Sequence, residues 1–301
     1  MKAHPLATLI HAIVPILLFS TSVSHATWGN DAINATAAHQ ITRGEGVKVG
    51  ILDTGIQKNH PDLQANIIGG INLVKGAGGS SRWDDDNGHG THIAGVIAAV
   101  DNTIGYTGVA PSAKLFVVKV LHKDYVTKPS LIDPKVVADG IYACMANGVH
   151  VINMSFGISV DAPVLRNAII AASNAGIVLV AAVGDNSSPS VLYPAKYPEV
   201  IAVTAVQSNG YNNFSFAWYN NWGPEVDFTA PGTATYSTWI GSSYRVSFGT
   251  GQAAAHVSGV AALMLSAGKT DLVGRDVTPT PLPPEQQGLG LIDALLTVTA
   301  E

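Results

Sequence analysis

The chain has 301 residues, 47% hydrophobic and 12% charged, with a formal net charge of -5 at pH 7. Such a composition suits one large α/β domain with ample core and carries no polyanion-binding signature, which excludes nucleic acid as a natural partner. Cys144 is the only cysteine, which excludes an internal disulfide.

The chain opens with Lys2, an apolar stretch over residues 6–19 and the small-x-small sequence Ser24-His25-Ala26, which together read as a secretory signal peptide over residues 1–26. The stretch is short and carries His11 and Pro15, which argues against a retained membrane anchor. The expectation is a secreted or periplasmic protein, free of the membrane after cleavage, with a single domain over residues 27–301.

An apolar, β-branched run at 47–52 ends in Asp53-Thr54-Gly55, placing a carboxylate at the C-terminal end of a predicted strand. A glycine- and serine-rich loop at 75–81 leads to Asp84-Asp85-Asp86, read as a solvated turn in preference to a metal site. Asn87-Gly88-His89-Gly90-Thr91-His92 then opens a small-residue helix at 91–100. A second strand is expected at 115–120, and a segment at 123–133 is bracketed at its end by Pro129 and Pro134. In the helix predicted over 134–146, Cys144 lies among Ile141, Tyr142, Ala143 and Met145 as a buried small hydrophobe.

Further strands at 149–154, 177–182 and 200–206, separated by a helix at 164–175, complete an alternation that argues for a parallel sheet covered on both faces. Function should then gather at strand C-termini, where Asp53, Ser155 and Asp185 fall. Near the end, Gly249-Thr250-Gly251-Gln252-Ala253 leads into Val257, Val260, Leu263, Met264 and Leu265 at helical spacing, a tight turn feeding a buried helix. Residues 269–287 are rich in Pro, Thr and Gly and read as irregular.

An acid at a strand end, a histidine at a helix start and a third site at a later helix start follow the order Asp, His, nucleophile. A nucleophilic hydrolase puts a hydroxyl or thiol at that third place, where helix amides favour developing negative charge. Here the place is Gly251.

At these positions the chain resembles the subtilisin family of serine peptidases. Asp53-Thr54-Gly55-Ile56, His89-Gly90-Thr91-His92-Ile93-Ala94-Gly95 and Gly249 to Gly259 resemble its three signature blocks in order. Gly108-Val109-Ala110-Pro111, Val151-Ile152-Asn153-Met154-Ser155 and Tyr193-Pro194-Ala195-Lys196-Tyr197-Pro198 are also similar to the family. The resemblance implies an α/β three-layer sandwich with a central, mostly parallel sheet and helices on both faces. It also implies peptide-bond hydrolysis by an Asp-His-Ser triad, with Asp53 and His89 in the first two roles.

Laid on the family's Gly-Thr-Ser-Met-Ala-x-Pro-His-Val-x-Gly, the serine falls on Gly251, the methionine on Gln252 and the proline on Ala255. The family's oxyanion asparagine falls on Asp185, an acceptor where a donor is needed, unless a shift of one residue brings Asn186 there. Ser247 and Thr250 are the alternative hydroxyls, and a displaced nucleophile in an active endopeptidase is the alternative function. A peptide-binding or structural exported protein is the third.

Ser155, Phe156 and Gly157 resemble the strand that pairs with substrate, and the longer segment at 123–133 is expected to alter the opposite substrate-pairing edge. Ile158 and Leu192 stand where the family often has small residues, either narrowing the specificity pocket or simply packing. Val100, Asn102, Ile104 and Tyr106 with Asp62 resemble a structural calcium site, although the family's N-terminal glutamine ligand has no counterpart. Trp28-Gly29 resembles the start of the mature domain and follows the expected cleavage site at once, leaving no room for a folding propeptide. The expected product is a monomer whose partner is a peptide or protein.

Overall fold

The computed structural model describes residues 28–300 apart from 77, 126–127, 129–131, 211–212, 273–276 and 279. The expected signal peptide and part of the segment at 123–133 therefore lie outside the described residues.

The strands in chain order are β1 (Lys48–Asp53), β2 (Ile67–Asn72), β3 (Lys114–Lys119), β4 (Val151–Met154), β5 (Val178–Ala182), β6 (Ile201–Ser208), β7 (Phe214–Phe216), β8 (Phe228–Pro231), β9 (Thr235–Trp239), β10 (Ser243–Ser247), β11 (Val277–Thr278) and β12 (Leu291–Ile292). The helices are α1 (Trp28–Ala32), α2 (Ala35–Ala38), α3 (His89–Ala98), α4 (Pro134–Ala146), α5 (Pro163–Asn174), α6 (Thr250–Ser266), α7 (Pro284–Gln287) and α8 (Ala294–Thr299).

The main sheet runs β11-β12-β8-β6-β5-β4-β1-β3-β2, with β7 added antiparallel to β6 and β11 antiparallel to β12. Every other neighbouring pair in it is parallel. Its central strands are apolar on both sides because both sides are covered: Val49, Ile51 and Val117 join one buried cluster, while Leu52, Val118 and Ile152 join the other. The first cluster holds Ile93, Val96 and Ile97 of α3 with Val257 and Val260 of α6. The second holds Val137 and Ile141 of α4 with Leu165 and Ile169 of α5. The result is the expected three-layer α/β sandwich.

Cys144 is buried, as expected, and its sulfur lies over Gly50 on β1, where a Cβ would come within 2.5 Å of Sγ. Burial alone pushes its thiol well above the ordinary range, so it behaves as a small hydrophobe. The stretch 269–287 is less irregular than its composition suggests. Val277 pairs with Ile292, and Pro284 starts one helical turn.

The antiparallel β9–β10 pair forms a separate ribbon packed on α3, where Ser237 and Thr238 donate to the His92 and Thr91 carbonyls at 2.9 and 2.7 Å. Their short polar side chains draw the ribbon onto the helix, and Gly95 admits them, since a Cβ there would lie 2.2 Å from Thr238 Oγ1.

Candidate active site

The parallel order brings the C-terminal ends of β1, β4 and β5 to one rim, beside the N-termini of α3 and α6. Asp53 ends β1 with its side chain fully buried, and its carboxylate accepts from Thr54 N–H at 2.7 Å. His89 opens α3, and its Nδ1 lies 2.9 and 3.0 Å from the two Asp53 oxygens. The acid and base expected from sequence are therefore together. Burial, the largest influence, disfavours the imidazolium. The Asp53 charge and hydrogen bond, reinforced by Asp85 and Asp185, outweigh it and raise the His89 pKa above 6.5.

The acidic triplet corrects the sequence reading at its middle residue: Asp84 and Asp86 are exposed as a solvated turn requires, but Asp85 is drawn inward. Asp85 Oδ1 accepts from Thr54 Oγ1 at 2.8 Å and from the N–H groups of Asn87 and Gly88 at 3.0 and 2.9 Å. Its Oδ2 accepts from Thr91 N–H at 2.9 Å and Thr91 Oγ1 at 2.6 Å. Burial opposes the charge, yet these bonds hold the Asp85 carboxyl below the usual range. One carboxylate thus ties the end of β1 to the first turn of α3 and sets His89 against Asp53. Asp86 pairs at 2.6 Å with Lys119, a buried ammonium that also donates to Thr54 O at 2.5 Å, while Asp84 pairs with Lys58 at 2.9 Å. Gly90 completes the fit: a Cβ there would lie 2.1 Å from Gly55 O.

Gly251 lies in the first turn of α6, opposite this pair. A Cβ at Gly251 would sit 3.5 Å from His89 Nε2, 3.1 Å from Ser155 O and 3.2 Å from Ser155 Cβ. Gly251 therefore occupies the place from which a hydroxyl would reach the imidazole, and Nε2 has no hydrogen-bond partner among the described residues. The turn is fixed from beneath: Ser258 donates to Asn153 at 2.9 Å, Asn153 to Ser155 Oγ at 2.9 Å, and Ser155 to Gly251 O at 2.8 Å. The alternative hydroxyls are engaged elsewhere, since Thr250 Oγ1 accepts from Gly184 N–H at 3.2 Å and Ser247 Oγ from Gln252 Nε2 at 3.3 Å.

Asp185 follows β5, and its Oδ1 accepts from Thr250 N–H at 2.8 Å. Crowding by protein atoms raises its carboxyl pKa, and the Thr250 amide and hydroxyl pull it back down, although the residue stays open to the cleft. It is Asp185, in direct register, that meets α6; the neighbouring Asn186 N–H instead donates to Asn221 Oδ1 at 2.9 Å.

His89, Ser155, Phe156, Gly157, Asp185 and Gly251 line one cleft of about 760 Å³. Gly157 makes no backbone hydrogen bond among the described residues, whereas Ile158 pairs with Tyr193 through bonds of 2.7 and 2.9 Å. Ile158 is thus buried packing. Leu192 narrows the cleft: a Cβ on Gly157 would lie 2.5 Å from Leu192 Cδ1, and one on Gly184 2.7 Å from the same carbon. The leucine fills the slot between two glycines. Tyr125, in the segment at 123–133, sets its ring edge-on to His89 at a centroid distance of 5.5 Å. Sequence reading missed this contact, since only the chain path over the cleft reveals it.

Away from the cleft, three of the other four expected calcium residues bond to Asp62, which is fully buried, and the fourth, Ile104, bonds to Asn102. Asp62 Oδ1 accepts from Asn102 Nδ2 at 2.8 Å, and Oδ2 from Tyr106 N–H at 3.1 Å and Tyr244 hydroxyl at 2.7 Å. Asn102 Oδ1 accepts from Ile104 N–H at 2.8 Å, and Val100 N–H donates to Asp62 O at 2.8 Å. The carbonyls of Val100 and Ile104 accept no hydrogen bond among the described residues. No group of three or more His, Cys, Asp or Glu side chains is placed to hold a metal among the described residues.

Among known proteins, the Subtilase family model matches residues 44–300. The thermostable alkaline protease of Halalkalibacterium halodurans is 44% identical over 240 residues, covering 79% of this chain and 62% of that protein. Subtilisin BL of Lederbergia lenta is 44% identical over 238 residues, covering 79% of this chain and 83% of that one. Subtilisin E of Bacillus subtilis is 41% identical over 244 residues, covering 79% and 61%. The chain thus spans about three fifths of the alkaline protease and of subtilisin E, and most of subtilisin BL. No helix among the described residues is long and apolar enough to cross a membrane. With an acid–base pair on a parallel-sheet rim and a family match over nearly the whole described chain, this protein belongs to the subtilase family.

Proposed function

We propose that this chain is an exported subtilase homologue that binds peptides in its cleft and has lost peptide-bond hydrolysis. The observation that carries the reading is the unpartnered Nε2 of His89 facing Gly251, 3.5 Å from where a Cβ would stand. In working members the histidine takes the serine proton and the serine oxygen attacks the peptide carbonyl. Here Asp53 still orients His89, but no side chain among the described residues supplies the attacking oxygen, and Asp185 places an acceptor where developing negative charge needs a donor. The loss established for subtilisin itself on removing its serine is on the order of 10^6 in kcat.

The groove retains features that suit a peptide. The backbone of Gly157 is unpaired among the described residues, and Leu192 limits the neighbouring slot to small side chains. A fluorogenic peptide assay on the unmodified protein tests the loss of hydrolysis. Turnover that a serine-reactive fluorophosphonate abolishes, with label on Ser247 or Thr250, would sink it. Export is tested by the N-terminal residue of the protein recovered outside the cytoplasm, expected near Thr27.

Calcium belongs to the same reading. The Asp62 carboxylate, the Asn102 amide oxygen and the carbonyls of Val100, Ile104 and Tyr106 are the hard oxygen donors the ion takes. The two open carbonyls support the fit, and binding would require the Asn102 amide to turn its oxygen toward the ion. When bound, the ion would brace the loop after α3. Calcium should raise the melting temperature, and Asp62→Asn should abolish that rise.

A further inference from the structure

We infer that the end of the cleft where working subtilases cradle an oxyanion binds instead a primary ammonium group carried by a peptide. This rests on the peptide-binding reading above and adds the chemistry of the ligand.

Two acceptor oxygens converge there. Asp185 Oδ2 and Gln252 Oε1 each lie 2.9 Å from the position a Cβ of Gly249 would take, so they face the same small space. Gln252 is only 1% exposed and lines the cleft. Its Nε2 is engaged by Ser247 at 3.3 Å, while its Oε1 has no hydrogen-bond partner among the described residues. An unpartnered amide oxygen on the cleft wall beside a carboxylate accepts a donor from a ligand, and a donor bearing positive charge suits both. The nearest helix donor is not available to an anionic ligand, because Asp185 Oδ1 already takes Thr250 N–H at 2.8 Å.

An aromatic side chain flanks the same end: Phe248 lines the cleft next to Gly249 and is 61% exposed. A carboxylate with an exposed aromatic face on the same cleft wall is a combination that holds an ammonium ion. The cationic Arg245 of the cleft wall is drawn over the Trp239 ring, 4.7 Å from its centroid. The ammonium could come from a peptide's own amino terminus or from a lysine side chain, and both share the chemistry.

The test is calorimetric titration of the full chain with four probes: tetra-alanine amide with a free amino terminus, its N-acetyl form, and N-acetyl peptides in which one alanine is replaced by lysine or by norleucine. The amino-terminal source predicts that the free form binds about ten-fold or more tightly than the acetylated one; the lysine source predicts that lysine binds about ten-fold or more tightly than norleucine. Asp185→Asn keeps an acceptor for Thr250 N–H, and it should abolish either preference. Equal binding of all four peptides overturns the inference and leaves the groove reading standing, as does a preference that survives Asp185→Asn. No binding by any of them overturns both.

Discussion

The two ends of the cleft have met different fates. At the β1–α3 end the acid and the base remain in hydrogen-bond contact, held by Asp85, Thr54 and Thr91. At the β5–α6 end Gly251 faces His89 Nε2 with no side chain of its own, and Asp185 accepts from Thr250 N–H. The difference teaches which catalytic groups also serve the fold. Asp53 is a buried carboxylate bonded to Thr54 N–H, and the Asp85 cap beneath His89 joins a strand to a helix. Removing such groups would leave buried donors unmet, which costs about 1–3 kcal/mol each. A side chain at position 251 would have His89 and Ser155 for neighbours and no buried donor to satisfy, so the fold does not depend on one there.

Restoring the damaged end breaks the comparison most sharply. Gly251→Ser should be accommodated once Ser155, whose O and Cβ the new Cβ would meet at 3.1 and 3.2 Å, gives by a few tenths of an ångström, and it should place a hydroxyl within reach of Nε2. Peptide hydrolysis should rise from background by on the order of 10^3 or more, bounded by the ~10^6 that the serine is worth. Adding Asp185→Asn should give a further ~10^2. In the restored enzyme kcat/KM should increase with pH through an apparent pKa above 6.5, because His89 must be neutral to act and its pKa is raised. Asp185→Asn should lower that pKa by removing one of the charges that raise it. Fluorogenic assays across pH read all three, and a Gly251→Ser protein that folds without turnover would show that this end is damaged beyond these two residues.

Damaging the intact end is the converse. Asp85→Ala removes the acceptor of five hydrogen bonds and should cost about 3 kcal/mol, while Asp84→Ala, which loses only an exposed ion pair, should cost under about 1 kcal/mol. Chemical denaturation distinguishes them; equal losses would remove the cap from the account.

Acid should weaken the whole molecule in a way that separates buried histidines from the site. Burial lowers the pKa of His92 to about 3 and that of His256 to about 4. Both are neutral in the fold and take up protons on unfolding once the pH drops below about 6.5. Stability should fall between about pH 6.5 and 4, by on the order of 1 kcal/mol per histidine per pH unit. His89 has the opposite sign: its contribution is full below 6.5 and is lost as pH rises through its raised folded value. His92→Gln should flatten the acid slope seen in thermal melts.

The smallest expected effect concerns the slot. Leu192→Gly should admit larger side chains beside Gly157, raising the affinity of a phenylalanine-containing peptide about ten-fold over its alanine counterpart. No change in that preference would mean that Leu192 does not govern what the groove accepts.

The sequence by itself determined the layered sheet, because strand and helix periods are local and their alternation permits few arrangements. It also determined the order Asp53, His89, Gly251 along the chain, because each sits in a short contiguous motif. Only the tertiary structure decided what Asp85, Lys119, Leu192 and Tyr125 do. Asp85 caps α3 yet reaches back to Thr54, Lys119 pairs with Asp86 across the rim of the sheet, and Leu192 fills a gap between glycines on two different strand ends. Their partners are far apart along the chain, and a side chain's chemistry names its possible contacts without saying which of them the fold will bring near.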